Sequence, residues 1–148
     1  MSHSYALQGT KSQLIGQLVF FDDEKAQFLD QYYPDNNQKR ALVERVLSEY
    51  ASTLEKMLPD LNESVLKSTA LIGSKVTLRY LDDNTTETFT IVFPGKADPD
   101  RNMVSFLSPI GFQLLLTRAG ERCKLAVPGG ELAVLVEKIE YAGSGDIG

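Results

Sequence analysis

The chain has 148 residues, 24% of them charged, and a formal net charge of -5 at neutral pH. A chain of this length buries a core, but a net negative charge supplies no diffuse basic field for counterion release, which argues against direct binding to duplex DNA or RNA and for a protein partner. No run of 18 or more apolar residues offers a membrane span, and the single cysteine, Cys123, excludes an internal disulfide and has no metal-ligand neighbours at useful spacing.

The opening Met-Ser-His-Ser-Tyr lacks the basic-then-apolar layout of a signal peptide, so the chain is expected in the cytoplasm. Two subdomains are expected, a helical part with its connector over residues 1–72 and a sheet part over residues 73–148. From Leu14 to Tyr32 the apolar positions Leu14, Leu18, Phe21, Phe28 and Tyr32 fall at three- and four-residue steps, the pattern of an amphipathic helix. Asp22-Asp23-Glu24 also reads as a fresh helix start, and a short strand before residue 22 is the alternative for Leu18-Val19-Phe20-Phe21. Pro34 pushes Tyr33 out of the helical region, and the run to Asn37 predicts a turn whose Asn or Asp caps the next helix. That helix is expected from about Gln38 to Leu58, with a stripe of Val43, Leu47, Tyr50, Leu54, Met57 and Leu61. Two such segments joined by a tight polar turn make an antiparallel hairpin, and roughly 20 helical residues project about 30 Å.

Pro59 to Leu71 reads as a connector with one helical turn around Glu63 to Lys67. From Gly73 the period changes to two: Val76, Leu78 and Tyr80 alternate, Asp82-Asp83-Asn84 marks a turn, and Thr88, Thr90 and Val92 alternate with Phe89, Ile91 and Phe93. A polar loop from Ala97 to Asn102 follows, and the Gly-rich end, Ala142 to Gly148, is expected to fray.

No nucleophile, acid-base pair or metal cluster of an enzyme stands out. His3, the sole histidine, is read as a terminal residue rather than a catalytic one, and Cys123 as a small buried hydrophobe rather than a reactive thiol. Asp82-Asp83 and Asp98-Asp100 are pairs of the oxygen-ligand type a divalent cation takes, but a turn uses Asp in the same way, and the turn reading is preferred. Pro128-Gly129-Gly130 lacks the helix and Lys-Ser/Thr of a nucleotide loop and is a hairpin turn. Ser108 suits a helix N-cap with Pro109 at the first helical position, leaving a Phe112-Leu115-Leu116 face to pack on the sheet. Alternation sends Tyr80, Phe89, Phe93 and Phe106 mostly to the core, which leaves no aromatic pocket for a peptidyl-prolyl isomerase.

The stretch from Met103 to Tyr141 carries the strongest signal: a short strand into Ser108-Pro109-Ile110-Gly111, a helix, an Ala-Gly-Glu break, a strand, the Pro-Gly-Gly turn, and a strand closing in Ile-Glu-Tyr. This order resembles the C-terminal domain of the bacterial Gre transcript-cleavage factors, and is more similar still to the short Gre-like Rnk proteins, the regulators of nucleoside diphosphate kinase. The likeness covers Gly73 to Tyr141 in motifs and the N-terminal half in architecture. It implies an α+β chain, an N-terminal antiparallel helical hairpin (a short coiled coil) followed by an FKBP-like antiparallel sheet with one helix. It further implies a transcription regulator that is not itself an enzyme, needs no cofactor or metal, and docks on RNA polymerase at the rim of the secondary channel, with no sequence-specific contact to nucleic acid. Carried over position by position, the docking corner is Leu107-Ser108-Pro109, where Leu107 replaces the acidic residue usual in the cleavage factors. Cleavage factors carry an acidic tip that presents two carboxylates to the polymerase's catalytic magnesium. The tip here comprises Asp30, Tyr33, Asp35 and Asn36, with Asp30 and Asp35 at a different spacing. The resemblance therefore implies a competitor for the Gre docking site; an active cleavage factor acting through Asp35 and a protein-interaction module with another target are the alternatives.

Overall fold

The computed structural model describes residues 2–147, and side chains from residue 7 to residue 147, so the reading of the His3 side chain lies outside what is described. The chain divides into two units, Met1–Leu61 and Asn62–Gly148.

The first unit is helical. Helix α1 (Ser2–Asp23) and helix α2 (Lys25–Tyr32) are separated at Glu24, whose φ of -123° and ψ of 8° leave the helical region. Residues 14–21 are thus helix and the strand alternative falls away. The acids Asp22, Asp23 and Glu24 explain the break: they oppose the negative end of α1 and favour a new start at Lys25. Helix α3 (Gln38–Met57) is capped by Asn37, whose Oδ1 accepts from the Arg40 N–H at 3.1 Å. Its stripe Val43, Leu47, Tyr50 and Leu54 is buried together with Leu14, Phe21, Phe28 and Leu29. Phe21 meets Tyr50 edge-on with centroids 5.8 Å apart, and Phe20 meets Phe28 likewise at 5.6 Å. Inside this apolar seam the Tyr50 hydroxyl donates to the Gln17 Oε1 at 2.5 Å, a buried pair that satisfies a polar residue the periodicity did not mark.

In the second unit, helix α4 (Glu63–Leu66) is one turn, capped by Asn62 through the Val65 N–H at 2.9 Å. Strands β1 (Ser74–Tyr80), β2 (Thr86–Val92), β3 (Met103–Ser105), β4 (Arg122–Val127) and β5 (Gly130–Tyr141) form one sheet in the order β3-β2-β1-β5-β4, with helix α5 (Pro109–Leu114) between β3 and β4. β1 is central, antiparallel to both neighbours, with a register shift against β5 between Thr77 and Leu78. Its even positions Val76 and Leu78 are fully buried and Lys75 is exposed, the alternation its sequence predicts. Of the four pairings, β2 with β3 is parallel, so the sheet is mixed where the resemblance implied an antiparallel one. Two 3-10 turns, Pro94–Lys96 and Pro99–Arg101, carry the chain back along β2 before β3 starts. Phe93 and Phe106 flank that return and meet edge-on, 5.2 Å apart, fully buried.

Several local expectations are revised. Helix α5 ends at Leu114, so its buried residues are Gly111 and Leu114, with Leu115 just beyond, while Phe112 and Leu116 are half-buried. Leu116 has φ of 69°, held there because its N–H donates to the Ala70 carbonyl while the Ala70 N–H donates to the Thr117 carbonyl, both at 2.8 Å. Tyr80 and Phe89 are half-buried rather than core residues, as is Cys123, whose thiol is pushed up by burial and by Glu121 and is thus held back from the reactive thiolate. The Gly-rich end folds back instead of fraying: the Ala142 N–H donates to the Gly73 carbonyl at 2.9 Å, Gly145 is buried, and Asp146 pairs with Lys96 at 3.1 Å. The closing Ile-Glu-Tyr has a packing reason, since the Tyr141 ring covers Gly73 so closely that a Cβ there would lie 2.7 Å from it.

Gly73 and Gly120 both have positive φ, 109° and 87°, but only Gly73 faces a ring. Gly120→Ala is expected to cost about 1–2 kcal/mol from backbone strain, and Gly73→Ala about 1–3 kcal/mol more from overpacking, read as denaturant midpoints. The Tyr80 phenol, whose O–H donates to Glu87 Oε1 at 2.6 Å, is pushed up to about 12 by burial first, then by the bond to and charge of Glu87 and by Asp83. A raised phenol holds its proton more tightly in the folded chain, so its stabilising contribution is full below about pH 10 and is lost as pH climbs to about 12. Tyr80→Phe should flatten the fall in denaturation midpoint across that window.

Candidate docking corner and hairpin tip

The corner is built by the short strand β3 and the turn that follows it. After β3, the Phe106 N–H donates to the Val92 carbonyl at 3.0 Å and the buried ring anchors the chain, so the next three residues must turn outward. The Leu107 N–H donates to Ser105 Oγ at 3.0 Å, and the Ser108 N–H to the Ser105 carbonyl at 3.0 Å. Ser108 Oγ then works twice: it donates to the Ser105 carbonyl at 2.6 Å and accepts from the Gly111 N–H at 3.2 Å, which makes it the N-cap of α5. Gly111 is required by this closeness, because a Cβ on it would lie 2.0 Å from the Ser105 carbonyl oxygen. The Ser-Pro opening is thus a tight knot in which Ser108 is committed to structure, Leu107 is half-buried and Pro109 is exposed. The corner is apolar and carries no charge of its own at Leu107-Ser108-Pro109.

A residue that sequence reasoning passed over holds the far end of this knot. Gln113 on α5 donates from Nε2 to the Ala126 carbonyl at 3.0 Å and accepts on Oε1 from the Ala126 N–H at 2.7 Å. The amide imitates a paired strand on the free side of the edge strand β4, and so ties α5 to the sheet and covers that stretch of edge. A polar residue inside a short helix gives no sequence signal for such a bond.

At the tip of the hairpin the four residues singled out behave differently. Asp30 Oδ1 pairs with Arg40 Nη1 at 2.8 Å across the turn, and the same guanidinium nitrogen donates to the Tyr33 carbonyl at 2.8 Å. Arg40 thereby staples the end of α2 to the start of α3 and takes Asp30 as its counter-ion; an Asp at ten residues' remove gave no warning of this. Tyr33 is half-buried, and burial pushes its phenol up. Asp35 and Asn36 are exposed, Asp35 using only its carbonyl to accept from the Asn37 N–H at 3.0 Å. Among the described residues no ion pair engages the Asp35 carboxylate, so the tip offers one unpaired acid.

The acidic loops serve as turns. Asp83 Oδ1 accepts from the Thr85 N–H at 3.1 Å and hydroxyl at 2.8 Å, which holds its carboxyl below the usual range, and Asp98 Oδ1 accepts from the Asp100 N–H at 3.2 Å. Pro128 and a positive-φ Gly129 (94°) join β4 to β5 as a two-residue hairpin connection. Among the described residues no group of His, Cys, Asp and Glu is arranged to hold a metal, and no helix is long and apolar enough to cross a membrane.

Ser108→Ala removes the cap of α5 and is expected to lower stability by about 1 kcal/mol, whereas Pro109→Asp, at an exposed first helical position that tolerates acids, should stay within about 0.5 kcal/mol. Urea denaturation of the two variants checks this, and equal losses would contradict the division of labour between the two residues.

Comparison with known proteins bears on the same residues. The family described as "Transcription elongation factor, GreA/GreB, C-term" matches residues 66–141, which run from α4 to the end of β5. The transcription elongation factor GreA of Chloroflexus aurantiacus is 31% identical over 107 residues, covering 72% of this chain and 68% of that protein. The GreA of Desulfovibrio desulfuricans is 32% identical over 78 residues, 53% of this chain, and the match spans about half of that relative, 48%. A solved structure, the transcription elongation factor GreA/GreB from Nitrosomonas europaea, shares the fold at 21% identity, with a TM-score of 0.50 over 64% of this chain and 79% of that one. These relatives are named as transcription elongation factors, not as enzymes. With more than half of it matched by the family and two thirds of a GreA aligned at this identity, the chain belongs to the GreA/GreB family of transcription elongation factors.

Proposed function

We propose that this protein binds RNA polymerase at the rim of the secondary channel through the Leu107-Ser108-Pro109 corner, and that it competes there with cleavage factors without stimulating cleavage. The observation that carries the second half is the Asp30–Arg40 pair at 2.8 Å. Holding a second catalytic metal requires two carboxylates free to converge on it. Here one of the two acids at the tip already has a cation of its own, and Asp35 alone stands unpaired. Hairpin reach supports the same reading. Helix α3 has 20 residues, and at 1.5 Å per residue it extends about 30 Å. The corner supports the first half: it is preformed, Ser105 and Ser108 are bonded within the turn, and Leu107 and Pro109 offer partly and fully exposed apolar side chains. Preorganisation of this kind lowers the ordering cost of docking. The polymerase is the proposed partner, with no sequence-specific contact to nucleic acid, and the Rnk-like proteins are the proposed nearest kind within the family.

A transcript-cleavage assay on a stalled, backtracked elongation complex tests this, with the protein alone and then together with an active cleavage factor. The expected result is no released RNA fragment with the protein alone and a dose-dependent loss of factor-stimulated cleavage. Cleavage by the protein alone, abolished by Asp35→Ala, would instead make it an active cleavage factor, and no effect in either arm would remove the polymerase rim as its target.

A further inference from the structure

The open face of the sheet carries a feature that the corner and the tip do not use. Register places Thr90, Lys75 and Glu140 in one row across β2, β1 and β5, and Thr88, Thr77 and Lys138 in the next. Residues directly opposite share a face, with Cβ atoms about 5 Å apart, so these six form a polar grid on the side away from Val76 and Ile139. The turn at Asp100 and Arg101 rises beside β2 and converts the grid into a groove of about 540 Å³. That wall is fixed: the Thr90 N–H donates to the Asn102 carbonyl at 2.9 Å, and Asn102 Nδ2 donates to the Thr88 carbonyl at 3.1 Å. Thr90 lies at its floor, only 8% exposed although it faces the open side.

The charges in the groove run against the chain as a whole. Three cations, Lys75, Lys138 and Arg101, face two acids, Asp100 and Glu140, in a molecule of net charge -5. The cations are loosely engaged: Lys138 reaches Glu140 at 3.9 Å, and Arg101, 79% exposed, reaches Asp98 at 3.6 Å. Lys75 sits opposite Glu140 in register, yet among the described residues its ammonium forms no ion pair. Three donors of positive charge from three elements, over a floor of threonine hydroxyls, suit an anion with several oxygens that bridges them. The lining has no aromatic ring to stack a base, so it is the phosphates and not a nucleobase that such a site reads.

We propose that this groove binds a small oligophosphate, with Lys75, Lys138 and Arg101 contacting its oxygens; the Thr77 and Thr88 hydroxyls bond to each other at 3.0 Å, which leaves one of their two protons to complete the set. The chain of phosphates is the recognised chemistry, whether free or carried by a nucleotide.

Calorimetric titration of the full chain at low ionic strength, with inorganic triphosphate and with a nucleoside triphosphate, tests the site. One saturable site per chain is expected, weakened about tenfold or more by Lys75→Gln and tightened several-fold by Glu140→Gln, while Lys124→Gln on β4, the same charge change elsewhere, leaves it unaltered. Equal affinity for the two probes would assign the ligand to the phosphate chain alone, and tighter binding of the nucleoside triphosphate to a nucleotide; both uphold the site. Absence of saturable binding at millimolar triphosphate overturns it. So does an equal loss in Lys124→Gln, or an oligoribonucleotide without a terminal phosphate binding more tightly than triphosphate. The gain expected of Glu140→Gln separates a lost contact from a lost fold.

Discussion

The second unit depends on the central strand β1 being two-faced. Val76 and Leu78 are sealed in the core and pair through the backbone with β2 on one side and β5 on the other, so neither neighbouring strand has a register of its own. A slip of one residue would turn Lys75 and Thr77 inward, where an unpaired ammonium is costly, and this fixes the pairing. Both ends of the strand are tied down as well, with Gly73 under the Tyr141 ring and Tyr80 bonded to Glu87. Once β1 is set, β2 positions β3, and β3 delivers Phe106 and the Ser108 knot to one edge of the sheet.

That order of construction separates positions that hold from positions that can touch. In the corner, Ser105, Ser108 and Gly111 satisfy one another, and Phe106 pins the turn against Phe93; the exposed Pro109 and the half-buried Leu107 are left as the surface for the proposed partner. In the hairpin, Arg40 performs the holding and Asp35 and Asn36 remain outward. Family membership rests on residues 66–141, where the packing reasons for the motif residues lie: Gly111 for the close turn, Pro128-Gly129 for the hairpin, Tyr141 for the cover over Gly73. The tip belongs to the other unit and lies outside the residues that the family matches, and it is there that the proposed loss of cleavage chemistry resides.

Much of this was legible in the sequence because its causes are local. The Asn37 and Ser108 caps, the Pro34 turn, the Asp83 turn and the alternation of Lys75 to Leu78 are decided within a few residues, and the α+β class follows from them. What was not legible is carried by contacts between distant residues. The Gly-rich end looked free because composition says nothing of Lys96, some fifty positions earlier in the chain, waiting as the partner of Asp146. The parallel pairing of β3 is a consequence of how two 3-10 turns direct the chain, and three residues are too short to show an orientation. Periodicity marks neither Gln17 nor Gln113; one hydrogen-bonds inside the hairpin seam and the other clasps a strand edge. Leu116 at positive φ defeats pattern reasoning altogether, since it is held there by backbone bonds from its own N–H to Ala70 and from the Ala70 N–H to Thr117.

The central claim is that the Leu107-Ser108-Pro109 corner is the surface that meets RNA polymerase. Its most direct test is equilibrium binding of the fluorescently labelled full chain to core RNA polymerase, comparing the native protein with Pro109→Asp, whose charge faces outward and whose fold should be intact by circular dichroism. The account predicts saturable binding at micromolar concentration or below and a loss of at least about tenfold in the variant, since a lone carboxylate forced into an apolar contact is strongly penalised. No binding by the native chain, or equal binding by both, would contradict it.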